Sequence, residues 1–133
     1  MIIYNKTVYT LTNDKIGSIR VIEVCGKPWF IIKDVFSVLM CNDYRQLMAK
    51  VDATDMQIYE IDKLGRSEVG FVVSERGLFT ILDRLMAATL KGVVEGDDYL
   101  IETRERISRF QKWILDWLSS ESAKKYSLNS ANN

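Results

Sequence analysis

The spacing of apolar residues changes period several times along the chain, and that alternation most restricts its fold. Apolar and β-branched residues cluster at strand spacing over Ser18–Cys25 and Pro28–Ile32, with Gly26-Lys27 between them, which predicts a β-hairpin. A short leading strand over Thr7–Leu11 precedes it, separated by Thr12-Asn13-Asp14-Lys15. Ile19, Val21, Ile22 and Val24 fall on both faces of their strand, so a bulge or cover on both sides is expected. Helical spacing then takes over. Val35, Phe36, Val38 and Leu39 outline a short helix starting near Lys33-Asp34. Asn42-Asp43 supplies a turn and an N-cap for a second helix over Asp43–Val51, striped by Leu47, Met48 and Val51.

Asp52-Ala53-Thr54-Asp55 ends the helix pair, and strand spacing returns over Met56–Ile61 and Val69–Val73. The seven residues Asp62 to Glu68 between them predict a hairpin with a long, charged tip. Ser74 is placed to cap a third helix carrying Leu78, Phe79, Leu82, Leu85 and Met86 on one stripe. An acidic loop, Gly92 to Asp98, leads to a last helix over Ile101–Ser120. The fold class is therefore α+β: two β-hairpins interleaved with a short helix pair, then two helices including a long C-terminal amphipathic helix. Residues 1–120 are expected to form a single domain, and 121–133 a polar, flexible tail.

Composition narrows the chemistry. The chain has 133 residues and no histidine, so triads and metal sites that need imidazole are excluded. Two cysteines, Cys25 and Cys41, are too few for a thiolate zinc site. No G-x-x-x-x-G-K or G-x-G-x-x-G pattern occurs. The acid pairs Asp52/Asp55 and Asp97/Asp98 lie in turn-like stretches that favour aspartate anyway. No catalytic residues, metal or cofactor are expected, and the chain is read as non-enzymatic. The segment Met1 to Lys6 lacks the apolar core of a signal peptide, and no apolar run reaches membrane-span length. A cytoplasmic protein with reduced thiols is expected, without a membrane partner.

Lysine and arginine total 18, as do aspartate and glutamate, so nothing in the overall charge favours nucleic acid. A local reading survives nonetheless. Two short helices followed by a hairpin outline a winged helix-turn-helix, in which Tyr44, Arg45, Gln46 and Lys50 would face DNA and Lys63 and Arg66 would form the wing. Against it, residues 33–68 hold five cations and seven acids. The last helix points elsewhere: Ile107, Phe110, Trp113, Ile114, Leu115, Trp117 and Leu118 span an arc of about 200°, wider than one core needs. Trp113 and Trp117, with Arg106, Arg109 and Lys112 around them, are the candidate partner-binding or dimer surface, the alternative being a helix buried within its own domain.

Ile19-Arg20-Val21-Ile22-Glu23-Val24-Cys25-Gly26-Lys27-Pro28-Trp29-Phe30, followed by Ile31-Ile32-Lys33-Asp34-Val35, resembles the opening of the Bro-N domain of phage antirepressors and baculovirus repeated-ORF proteins. Ser74-Glu75-Arg76-Gly77-Leu78-Phe79 is similar to that family's S-E-x-G-L-Y helix start, and Phe110-Gln111-Lys112-Trp113-Ile114 with Leu118 to its F-x-x-W-V helix. The resemblance runs over roughly residues 18–120. It implies a viral or prophage regulatory module, antirepressor-like, that changes transcription by binding a repressor or host regulator, with direct DNA binding as the alternative. The chain departs from the family pattern after the third helix, where an acidic stretch over Leu85–Ile101 replaces a basic R-S-R-K-P-x-A connection. That departure turns the expectation toward a protein partner.

Overall fold

A computed structural model describes residues 2–4, 7–41, 45–91 and 98–131, with side chains for 8–41, 46–62, 64–89 and 100–121. Strands β1 (Ile2–Tyr4), β2 (Thr7–Asn13), β3 (Gly17–Val24) and β4 (Lys27–Ile31) precede helices α1 (Ile32–Val38) and α2 (Arg45–Met48). A 3-10 turn over Ala53–Asp55 leads to β5 (Met56–Lys63) and β6 (Arg66–Val73), then α3 (Glu75–Lys91) and α4 (Asp98–Ala131). The six strands of the described residues form one sheet in the order β1-β5-β6-β4-β3-β2. Every pairing is antiparallel except β1 with β5. The α+β class and the long C-terminal helix stand as read from the sequence, and α4 runs on to Ala131 rather than ending near Ser120.

Both hairpins expected from the sequence close tightly. Cys25 (φ 53°) with Gly26 (φ 78°), and Leu64 (φ 53°) with Gly65 (φ 79°), are left-handed pairs, the conformation that two-residue turns need to match strand twist. The second turn corrects the expected seven-residue tip. Ile61 pairs with Glu68, Asp62 with Ser67 and Lys63 with Arg66, so the charged stretch is strand almost to its end. It stays in the ladder because its polar groups have partners: Ser67 Oγ donates to Asp62 at 3.2 Å, and Glu68 joins an ion network described below.

The sheet alternates as its pleat requires. One face presents Ile19, Val21, Phe30 and Val73 to the helices. Against them lie Val35, Phe36 and Leu39 of the first helical segment, Leu78, Ile81 and Leu82 of α3, and Ile107, Phe110 and Ile114 of α4. The other face buries Ile22, Ile31, Tyr59 and Val72, with Val24, Trp29 and Ile61 around them. This is why β3 carries apolar residues on both sides: it is covered twice, and its register is unbroken by any bulge.

The short helices differ from expectation. α1 starts one residue earlier than the Lys33-Asp34 pair, and Met40 (φ 56°) closes it, with the Cys41 N–H returning to the Phe36 carbonyl at 3.0 Å. The expected helix over Asp43–Val51 shrinks to one α-helical turn, Arg45–Met48. The proposed cap Asn42-Asp43 and Tyr44 lie outside the described residues. Val51 is buried and drawn into the core, which bends the chain away from helical continuation.

Candidate functional site

One strand with its hairpin turn, a 3-10 turn and two helices meet around an open cleft of about 680 Å³. Its walls are Gly26 to Trp29 from the first hairpin, Thr54-Asp55 from the 3-10 turn, Ser74-Glu75-Arg76 and Phe79 from the start of α3, and Leu118 from α4. Pro28, Phe79 and Leu118 are each partly buried and form its apolar side, while the Trp29 side chain packs on the other face of the sheet. Lys27, Glu75 and Arg76 are exposed around them, Arg76 at 81% of its side chain.

The polar groups between these walls are committed to one another and to the backbone. Ser74 caps α3, its Oγ accepting from Gly77 N–H at 3.1 Å while donating to Asp55 Oδ1 at 2.8 Å. The Ser74 N–H bonds the Asp55 carbonyl at 3.0 Å, fixing the helix start on the 3-10 turn. Gly77 is required by this contact, because a Cβ there would meet the Asp55 carbonyl at 2.9 Å. One residue group upstream, Asp52 Oδ1 accepts from both the N–H (2.9 Å) and the hydroxyl (2.8 Å) of Thr54. Those bonds hold the Asp52 carboxyl below the usual carboxylate range. Asp55 Oδ2 faces Arg76 Nε at 3.6 Å. Both hydroxyls of the cleft are thus spent on shape, and the surface is built for contact: an aromatic and aliphatic floor between a cationic pair and one free acidic side chain.

A second polar constellation lies on the other face of the sheet. Arg20 Nε and Nη2 donate to the two oxygens of Asp34 at 2.7 and 3.0 Å, and Nη1 donates to Glu68 Oε2 at 2.7 Å. Tyr59 OH donates to the same Glu68 oxygen at 2.8 Å, and Lys33 Nζ reaches Oε1 at 3.4 Å. Burial pushes the Glu68 carboxyl up, but the bonds from Arg20 and Tyr59 and the charges of Arg20 and Lys33 outweigh it and leave it below its ordinary value. Burial, then Glu68, raise the Tyr59 phenol well above its usual range. This network ties β3, α1, β5 and β6 together.

The residues singled out from the sequence are scattered. Trp117 packs inward, its ring 6.0 Å from Tyr9 and 6.2 Å edge-on from Phe30. That burial, with Glu23 and Glu121 nearby, pushes the Tyr9 phenol up to about 12. Trp113 stands edge-on to Phe110 at 5.8 Å, half-buried at the margin of the core. Arg106 is half-buried; Lys112 is exposed, and exposed Arg109 pairs with Glu105 at 3.3 Å along the helix. Leu115 is the member of the wide arc left 48% exposed. Of the DNA-facing set, Gln46 and Lys50 are exposed around the single turn of α2, where Arg45 also lies, and Lys63 pairs in register with exposed Arg66 beside the second turn. The eight residues of β5 carry that turn roughly 25 Å from the 3-10 turn at its base.

Pro28, Arg76, Phe79 and Leu118 were not among the sequence candidates. Their signal was in plain view, since Gly26-Lys27-Pro28-Trp29 and Ser74-Glu75-Arg76-Gly77-Leu78-Phe79 are the blocks that carry the family resemblance, and both end on the cleft. A comparison with family models agrees: the model of the BRO family, N-terminal domain, matches residues 18–118. The chain belongs to the BRO N-terminal domain family. No curated protein and no solved structure matches it. For this BRO N-terminal domain, membership places the chain among regulatory domains of the antirepressor kind. Its K-D-V block is also explained, because Asp34 is the acid that grips Arg20. Among the described residues no helix is long and apolar enough to cross a membrane, and no group of three metal-ligating side chains occurs.

Proposed function

We propose that this chain is a phage or prophage regulator that acts without catalysis, in the host cytoplasm, by binding a repressor or another regulatory protein at the cleft between the first hairpin and α3. The observation that carries the reading is convergence. Two sequence blocks about fifty residues apart, each similar to a family motif, supply opposite walls of one open cleft, and the hydroxyls there are consumed in holding it. Partly buried Pro28 and Phe79 beside exposed Lys27 and Arg76 suit a protein segment that offers an apolar side chain next to a carboxylate.

Titration of a purified repressor from the same genome into the chain by calorimetry tests this. Lys27→Glu with Arg76→Glu should weaken binding at least about tenfold while leaving the circular dichroism unchanged, because both side chains are exposed. Binding untouched by that pair moves the site off the cleft. Binding lost with Trp113→Ala in a folded protein would move it to α4, with Arg106, Arg109 and Lys112 as its rim.

Direct DNA binding is the second reading, supported by exposed Gln46, Lys50 and Arg66. It requires an affinity for duplex DNA that falls steeply with salt, and a slope flattened by Arg45→Ala with Lys50→Ala. Fluorescence anisotropy at low and near-physiological salt separates the two readings.

A further inference from the structure

The sheet ends on one side at β2, whose sequence, Thr7-Val8-Tyr9-Thr10-Leu11-Thr12-Asn13, contains no charge and no proline. It pairs with β3 in unbroken register from Thr7 opposite Glu23 to Asn13 opposite Gly17. Among the described residues no strand of the sheet lies on its other side. Edge strands are ordinarily blunted by lysine, proline, a bulge or shortness, because a long neutral edge pairs with other chains. β2 has none of these devices. The opposite edge is β1, with three residues and a parallel partner, and it lacks the length to serve in the same way.

We infer that β2 is a homodimerisation edge, pairing antiparallel with β2 of a second copy about a two-fold axis through Thr10, so that two six-stranded sheets become one. Three features select a second copy as the occupant. The first is the direction of the free backbone groups. The Asn13 carbonyl turns in toward the β2–β3 loop, accepting from Ile16 N–H at 3.1 Å. Strand backbone alternates, so Asn13, Leu11 and Tyr9 direct their N–H and C=O toward β3, while Thr12, Thr10 and Val8 direct theirs outward. The second is the self-complementary register. A two-fold at Thr10 sets Thr10 opposite its own copy and Val8 opposite Thr12, and these are the outward-bonding residues; the ladder then closes six hydrogen bonds.

The third feature is the side-chain match. Tyr9 falls opposite Leu11 on the helix-covered face, an aromatic–aliphatic pair made twice. On the other face Val8, Thr10 and Thr12 are all exposed, giving β-branched pairs with no charge set against a like charge. Tyr9 is already held by Trp117, so the edge is presented stiffly. Pairing at this edge is independent of what the cleft binds.

Light scattering behind size exclusion on the full chain, up to about 0.5 mM, tests the proposal, since dimer mass is twice the 15.4 kDa of the chain and its population depends on concentration. Thr10→Lys puts two ammonium groups at the axis from an exposed position; it should raise the dissociation constant at least about tenfold with circular dichroism unchanged, whereas Thr10→Val should keep the dimer. A register test does not depend on that variant. With Cys25 and Cys41 replaced by serine, Thr10→Cys should oxidise to a linked dimer, because opposed hydrogen-bonded residues lie about 5.5 Å apart, inside the disulfide range. Thr12→Cys should not, its copies being roughly 13 Å apart in this register. A wild-type chain that stays monomeric throughout overturns the proposal. So does a dimer that survives Thr10→Lys, that links through Thr12→Cys in place of Thr10→Cys, or that is broken by Leu115→Asp on α4 and not at β2.

Discussion

The two faces of the sheet are closed in different ways. The helix-covered face gathers Phe30, Phe36, Phe110 and a set of aliphatic residues from three helices, and is held by apolar mass alone. The other face has only Ile22, Ile31, Tyr59 and Val72 at its centre, and is closed by the chain of bonds from Asp34 through Arg20 and Glu68 to Tyr59. Equal burial is reached by packing on one side and by charge-assisted hydrogen bonds on the other. The first tolerates an imperfect match of shapes; the second depends on every partner being present.

Substitutions should separate the two kinds of closure. The largest effect is expected at Phe110, fully buried among the helices: Phe110→Ala should cost about 3–5 kcal/mol in urea unfolding. A much smaller loss would mean that α4 contributes little to the helix-side core. Trp117→Ala should follow at about 2–4 kcal/mol, since it uncovers Tyr9 and Phe30. Arg20→Met should cost about 2 kcal/mol, by leaving Asp34 and Glu68 facing each other without their cation at sites about one-fifth exposed. Stability near that of wild type would show that the second face is closed by its four apolar residues.

The pH dependence sharpens the same contrast. The Glu68 carboxyl has its folded pKa below the unfolded value, so its stabilisation is complete above the ordinary glutamate range and disappears as pH falls through the folded pKa. Glu68→Gln should therefore flatten the acid limb of a stability–pH profile, whereas Phe110→Ala should lower the profile without changing its shape. Gly70→Ala probes the packing of the network itself, because the added Cβ would meet the Tyr59 ring at 2.9 Å; about 1–3 kcal/mol is expected. The smallest effect belongs to Leu115→Ala, within about 0.5 kcal/mol, as its side chain is half out of the core.

Legibility followed the same division. The helix-covered face was readable because apolar periodicity reports one buried stripe per element, and Leu78, Leu82, Ile107, Phe110 and Ile114 all fall where it placed them. The second face was not, since Arg20, Asp34, Glu68 and Tyr59 look like ordinary surface residues until β3, α1, β5 and β6 are brought together. The seven-residue tip was misread for that reason: a stretch of charges resembles a loop when its partners lie elsewhere in the chain. The single turn of α2 was misread because Leu47, Met48 and Val51 keep helical spacing although the chain turns at Ala49 and Lys50. As for the cleft, its walls were legible as motifs and their meeting was not.

The sequence by itself determined the α+β class, the succession of elements from β2 to α4, the cap at Ser74 and the family, because each depends on residues within a few positions of one another or on the order of such segments; it did not show β1, whose partner β5 lies more than fifty residues away. Tertiary structure alone decided which face each half-polar strand would bury, that Trp117 would turn onto Tyr9 and Phe30, and that Pro28, Arg76, Phe79 and Leu118 would share one cleft. Those outcomes rest on contacts between residues tens of positions apart. Local propensity carries no information about them, and only the closing of the sheet against its helices fixes them.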